Sequence, residues 1–269
     1  MHPLIPWFEP PAFTIPLPVV GPITIHGFGI LVALGFWFGA DVAMKKAIKF
    51  TGDPKAGARI NQLVTWLIVG TFVGGHLGDV LWYHPEDIAK DPMILLRVWE
   101  GLSSFGGFVV CVPISILFFT RRKISPWPYL DALAFGFALG WFLGRVGCFS
   151  AHDHAGGQTE FWLGVYGMCP GNNPTIACHD LGLYEAILSI ATFGAFTLSD
   201  KRPRFHGYYV GWMAASYGPV RFALDFFRNT AGPDVRYAGL TPAQYGCIAV
   251  TALGIWILTS RSRSSARTP

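Results

Sequence analysis

Gly144-Arg145-Val146-Gly147-Cys148-Phe149-Ser150-Ala151-His152-Asp153-His154-Ala155-Gly156 closes a long apolar run with an arginine, then sets a histidine–aspartate–histidine triplet ahead of a glycine. Upstream, residues 130–143 are apolar apart from Asp131. Such a run predicts a membrane-crossing helix, with Arg145 where the chain leaves the bilayer. Charge at that depth costs about 2.5–3.5 kcal/mol per residue on insertion scales, so it is rarely idle. Two readings of Arg145 stand open. It is a functional group held at the membrane edge, or a side chain snorkelling to the headgroups as long side chains near helix ends do.

The composition points the same way. Of 269 residues, 52% are hydrophobic and 13% charged, far from the roughly 25% charged of soluble domains. Thirty-two glycines and ten tryptophans suit closely packed membrane helices with aromatic belts. This length allows one membrane domain without a separate soluble one. Net charge is +4, and no basic tract with interleaved aromatics argues for a nucleic-acid partner. The first 20 residues are proline-rich and lack a basic n-region, so they do not read as a cleavable signal peptide.

Seven apolar segments each approach the roughly 20 residues a bilayer needs. They lie near 25–44, 63–83, 103–120, 127–144, 182–198, 207–227 and 241–260. The expectation is an all-α polytopic membrane protein of seven transmembrane helices, a single integral membrane domain over 1–269 with an outer loop at 145–181. Lys45, Lys46, Lys49, Lys55 and Arg59 follow the first segment, and Arg121, Arg122 and Lys123 the third. Lys201, Arg202 and Arg204 follow the fifth, while Arg261, Arg263 and Arg267 form the tail. This alternation obeys the positive-inside rule, placing the N-terminus outside and the C-terminus in the cytoplasm.

Orientation gives each polar residue a depth. His26 opens the first helix from outside, His76 and Asp79 lie near the outer end of the second, and Ser103 and Ser104 begin the third. Tyr184 and Glu185 begin the fifth from outside. Tyr217, Arg221, Asp225 and Arg228 fall at i, i+4, i+8 and i+11, one face of a helix. Asp41 and Asp131 lie instead near inner ends. Arg145 and Arg221, both at outer-leaflet level, suit a phosphate that a guanidinium fork grips bidentately, with Asp225 and Glu185 holding the forks. The alternative is a buried Arg221–Asp225 pair without a ligand. His152, Asp153 and His154 offer groups that move protons near neutral pH, or form an ordinary solvated loop.

These residues resemble a known family, the bacterial prolipoprotein diacylglyceryl transferases, over nearly the whole chain. The family signature runs Gly-Arg-x-Gly-Asn-Phe to an acidic residue and a glycine. Here it is matched by Gly144-Arg145-Val146-Gly147-Cys148-Phe149, Asp153 and Gly156. His26-Gly27-Phe28-Gly29, Gly74-Gly75-His76-Leu77-Gly78-Asp79 and Gly101-Leu102-Ser103-Ser104-Phe105-Gly106-Gly107 are similar to earlier family motifs. Leu183-Tyr184-Glu185-Ala186, Tyr217-Gly218-Pro219-Val220-Arg221 and Asp225-Phe226-Phe227-Arg228 are similar to later ones.

The resemblance implies transfer of diacylglycerol from phosphatidylglycerol to the lipobox cysteine of a prolipoprotein signal peptide. A thioether forms, glycerol phosphate leaves, and no cofactor is needed. It implies a multi-pass protein of the bacterial cytoplasmic membrane, with its active site towards the outer leaflet of the bilayer. Carried over by position, Arg145 and Arg221 neutralise the departing phosphate. His26, Ser104, Gly106, Cys148, Gly156, Tyr184, Glu185, Tyr217, Asp225 and Arg228 contact substrate. The chain departs from the pattern at Phe105, where the family usually has histidine, and at Cys148, Phe28 and Asp153, where it has asparagine, tyrosine and glutamate. His152 or His154, beside Asp153, would then supply a relocated base.

Two other readings carry different chemistry. His152, Asp153, His154, Cys169, Cys178 and His179 are zinc-type ligands in one outer loop, which allows a metal-dependent membrane hydrolase, although their spacing fits no tight motif. Phe105 allows a lipid-binding paralogue without catalysis. Cys111 and Cys247 lie within helices as packing residues. Cys169 and Cys178 lie nine residues apart around Pro170-Gly171-Asn172-Asn173-Pro174, in a loop placed where disulfides persist. A bridge there is expected, with reduced thiols or metal ligands as its rivals.

Overall fold

The computed structural model describes residues 3–17, 21–98, 101–171, 173–228 and 236–265, with the backbone alone at 17, 21–23, 83, 104, 105, 264 and 265. Asn172 and Arg267 lie outside the described residues, as do the side chains of Ser104 and Phe105. A hairpin of β1 (Ala12–Leu17) and β2 (Gly21–His26) leads into α1 (Gly27–Thr51). Then come α2 (Ala56–Gly78) with a π-helical turn Asp79–Tyr83, α3 (Pro85–Lys90), a 3₁₀ turn Pro92–Leu96, α4 (Ser104–Arg122) and α5 (Trp127–Ala151). Strands β3 (Ala155–Gln158), β4 (Val165–Tyr166) and β5 (Ala177–Asp180) precede α6 (Leu181–Ser199) and α7 (Tyr208–Leu224). A 3₁₀ turn, Asp225–Phe227, and α8 (Pro242–Ser265) complete the order.

The chain is mostly helical, and five described helices are long and apolar enough to cross a membrane: α1, α2 with most of its π turn, α5, α6 and α8. The remaining two expected segments are α4, of 19 residues, and α7, of 17, each with an internal proline, Pro113 or Pro219. Trp37 is 74% exposed, and Phe108, Leu198 and Trp256 also face outward. Water penalises such surface and lipid accepts it, as a polytopic membrane protein requires.

An all-α fold does not hold, because two small antiparallel sheets are present. In β1–β2, Phe13-Thr14-Ile15 pairs with Ile23-Thr24-Ile25. That is a two-residue alternation, with the Thr14 and Thr24 hydroxyls 3.2 Å apart. In the second sheet β5 is central, between β3 and β4.

The chain divides into two compact units, residues 1–43 with 130–269, and residues 44–129. In the first, α1 crosses α5 through facing glycines at i, i+4 spacing. A Cβ on Gly35 would lie 2.7 Å from the Gly140 carbonyl oxygen, and one on Gly39 2.7 Å from that of Gly136. Backbones meet where small residues allow it. The same device joins α7 to α8, where a Cβ on Gly218 would lie 2.8 Å from Cys247 O. Asp131, the lone acid in the apolar α5 run, is buried and accepts the N–H groups of Gly207, 2.7 Å, and Val210, 2.9 Å. It caps α7, whose own cap residue Gly207 has no side chain to do so. In the second unit, Gly74 and Gly78 on α2 meet Gly106 on α4. There the buried His76 lies with Nε2 2.8 Å from Ile94 O.

Two expected boundaries shift. α5 continues to Ala151, so residues 145–151 are helix and the segment expected as an outer loop starts at His152. The apolar Val146, Cys148 and Phe149 carry the helix on past an arginine that has a partner. α7 ends at Leu224, and Arg228 is extended (φ −64°, ψ 138°) and bridged to Gly156, off the helical face expected for it.

Candidate active site

All of the site's described contacts lie within the first unit. One face of α5 presents Trp141, Arg145 and Cys148, α6 presents Glu185, and α7 presents Tyr217 and Arg221 above Asp225. Glu185, only 2% exposed, is the hub. Its Oε2 lies 3.0 Å from Arg145 Nε and accepts from Trp141 Nε1 at 3.2 Å and Tyr217 OH at 3.1 Å. Its Oε1 lies 3.5 Å from Arg221 Nε. Arg221 Nη1 also donates to Asp225 Oδ1 at 3.1 Å, and Thr241 Oγ1 donates to Asp225 Oδ2 at 2.6 Å. The Arg145 guanidinium sits 4.4 Å above the Trp141 ring, a cation–π contact that fixes its plane.

Two guanidiniums thus flank one buried carboxylate. Arg145 and Arg221 keep 11% and 22% side-chain exposure. Among the described residues neither Nη2 is bonded. Their positive edges are available to an anion, while Glu185 and Asp225 hold the forks.

The His–Asp–His triplet divides. His152 adopts φ +52°, stacks on Trp7 with ring centres 4.4 Å apart, packs on Phe8, and sets Nε2 2.9 Å from Phe8 O. It anchors the N-terminal segment and makes no described contact with Arg145. His154 does join the site. Its Nδ1 bonds Asp153 Oδ1 and its Nε2 lies 2.9 Å from Arg145 Nη1, which is also 3.8 Å from Cys148 Sγ. The Asp153 hydrogen bond, and secondarily that of Cys148, pushes the His154 pKa up to about 9, with Arg145 opposing. A guanidinium only donates, so the 2.9 Å contact is a hydrogen bond only with neutral imidazole protonated on Nδ1. Asp153 favours the charged ring and Arg145 the neutral one.

The remaining expected residues make other contacts. Gly156 gives backbone clearance, since a Cβ there would lie 2.6 Å from Phe227 O and 2.8 Å from His179 Cβ. Tyr184 OH is 2.8 Å from His179 Nδ1, and burial pushes the His179 pKa down. His26 stands exposed at the end of β2. Ser104 and Gly106 belong to α4, where Gly106 meets Gly74. Cys169 and Cys178 are joined, with Cα atoms 5.4 Å apart. With those sulfurs bonded to each other, His179 on Tyr184 and His152 on Phe8, the six-residue metal set is not assembled.

Three residues escaped sequence reasoning. Trp141 lies four residues before Arg145, a helical spacing that could have flagged it. Thr241 carries no such signal, being brought to Asp225 only by the turn into α8. Asp180 is fully buried, takes the Leu183 N–H on Oδ1 at 2.9 Å, and leaves Oδ2 without a partner among the described residues. Burial pushes its pKa up to about 7.

Residues 15–260 match the family model described as prolipoprotein diacylglyceryl transferase. Among similar curated proteins is the phosphatidylglycerol–prolipoprotein diacylglyceryl transferase of Haemophilus influenzae (strain 86-028NP), 29% identical over 98% of this chain and 97% of that protein. The protein of the same name from Cereibacter sphaeroides (strain ATCC 17029) is 31% identical over 94% and 99%. That from Pasteurella multocida (strain Pm70) is 33% identical over 83% and 80%. The match runs from before α1 into α8 and takes in every residue of the site, and the chain belongs to the prolipoprotein diacylglyceryl transferase family.

Proposed function

We propose that this chain transfers the diacylglyceryl group of phosphatidylglycerol to the cysteine thiol of prolipoprotein signal peptides. The observation that carries this reading is the pair of arginines flanking Glu185. Two forks at one depth, aimed by a shared carboxylate, suit one phosphate held between them. The thiol sulfur attacks the glyceryl carbon, the carbon–oxygen bond to phosphate breaks, and glycerol phosphate leaves with the bonding electrons. Arg145 and Arg221 stabilise the growing phosphate charge, commonly the largest catalytic contribution. In its unprotonated form His154 accepts the thiol proton on Nε2 as the phosphate engages Arg145, with Asp153 holding Nδ1; with its pKa pushed up to about 9 that form is the minor one at neutral pH, so turnover rises with pH towards about 9. No cofactor or nucleic acid enters this scheme. The chain crosses the bacterial cytoplasmic membrane seven times, N-terminus outside and C-terminus inside, with the site towards the outer leaflet where translocated signal peptides present their cysteine.

The test is transfer in detergent from phosphatidylglycerol to a synthetic lipobox peptide, followed by mass spectrometry and glycerol phosphate release. Arg145→Ala is expected to lower turnover by roughly 10²–10³-fold, and Arg145→Lys to lose most activity because the planar fork is gone. Near-normal turnover by Arg145→Ala would end the assignment. Lipid bound by the wild-type protein without release of glycerol phosphate would instead identify a non-catalytic paralogue.

A further inference from the structure

Cys148 on α5 and Asp153 and His154 just beyond it bring a thiol, a carboxylate and an imidazole together. One ligand atom from each lies within 4.8 Å of the others. Cys148 is buried, His154 half-buried and Asp153 exposed. A zinc-type ion holds such ligands at about 2.0–2.3 Å, which places neighbouring ligand atoms about 3.3–3.8 Å apart in a tetrahedron. Closing the group by roughly an ångström would satisfy that geometry. The position already holds a cation, because Arg145 Nη1 lies 2.9 Å from His154 Nε2 and 3.8 Å from Cys148 Sγ.

We propose that Cys148, Asp153 and His154 form a binding site for a zinc-type divalent ion, which competes with the Arg145 guanidinium for Cys148 Sγ and His154 Nε2 while Asp153 turns from His154 Nδ1 to join them. A thiolate, a carboxylate and a neutral imidazole leave a fourth position to water, the donor set such ions favour. Glu185 retains Arg145 through Nε when Nη1 withdraws. Because Arg145 is shared, bound metal opposes bound phosphate. That consequence rests on the proposed function, whereas metal binding itself does not.

The experiment titrates Co²⁺ into the full-length protein in detergent with its disulfide intact. One equivalent should bind with a thiolate-to-cobalt charge-transfer band, and Zn²⁺ should displace it. Cys148→Ser should remove the band, while Asp153→Asn and His154→Gln should weaken binding by roughly 10–100-fold or more. Arg145→Ala should tighten it by roughly tenfold or more, because a like charge a few ångströms away is gone. A folded wild type without the band, a band surviving Cys148→Ser, or no tightening in Arg145→Ala overturns the proposal. Binding at the exposed His84, Glu86 and Asp87 group would give no thiolate band. If Cys148→Ser does not fold, Asp153→Asn and His154→Gln decide in its place. Zn²⁺ should also inhibit transfer. Metal bound at full turnover overturns the competition, and a protein with no turnover in any condition counts against the proposed function while the band still decides the site.

Discussion

Glu185 receives an arginine from α5 and another from α7, so a single carboxylate sets the aim of both forks. His154 and His152, two residues apart, show how far position in a motif is from position in space. His154→Gln is expected to lower transfer by roughly 10²–10⁴-fold, the usual share of a general acid–base group. His152→Gln should leave the rate nearly intact and loosen the Trp7–Phe8 packing instead. Equal rates for the two variants would show that proton transfer lies elsewhere. Asp180 offers a pH-dependent test. Its folded pKa of about 7 exceeds the unfolded carboxylate value, so the folded chain binds that proton more tightly. By linkage, stability falls as pH rises from about 4 to about 7. Asp180→Asn keeps an oxygen for the Leu183 N–H and removes the buried charge. Its melting temperature should exceed wild type at pH 8 and converge with it at pH 5; an advantage independent of pH would contradict the burial argument.

Helix crossings here depend on missing side chains. A methyl at Gly39 would press on the Gly136 carbonyl, whereas one at Gly194 on α6 meets nothing within 4 Å. Gly39→Ala should therefore cost about 1–3 kcal/mol, read as a lower thermal midpoint, and Gly194→Ala should not. A pair of equal midpoints would remove the close crossing of α1 and α5 as a stabilising feature. The three-stranded sheet carries a covalent tie. Cys178 lies on β5, two residues before the Asp180 cap of α6. Replacing Cys169 and Cys178 with serine should cost about 2–3 kcal/mol in the chain-entropy model. Protease nicking within residues 159–176 should increase first, and an unchanged digestion pattern would deny the bridge that role.

At the scale of the whole molecule, fourteen of twenty lysines and arginines cluster at alternate connections, in the loops and adjoining helix ends, or towards the C-terminus. The positive-inside rule turns this into a topology. A phosphatase reporter inserted between Phe161 and Trp162 is expected to be active outside the cell, and one joined after Lys201 inactive. The opposite pattern would invert the proposed orientation and remove signal peptides from the site.

Sequence alone determined the membrane class, because long apolar runs and loop charge are properties of composition and order. It also picked out Arg145, Arg221, Glu185, Tyr217 and Asp225, since charge inside apolar runs is costly enough to be noticed. Strand content was legible only in part. The Phe13-Thr14-Ile15 alternation was there to be read, but β3 to β5 are too short to show a period. Only the tertiary structure decided that Glu185 stands between the arginines, that His154 joins them while His152 packs on Trp7, and that Thr241 reaches Asp225. Those contacts are made by chain segments far apart in sequence, His152 and its partner Phe8 being 144 residues apart. Their geometry follows from helix crossings and turns that no local pattern encodes.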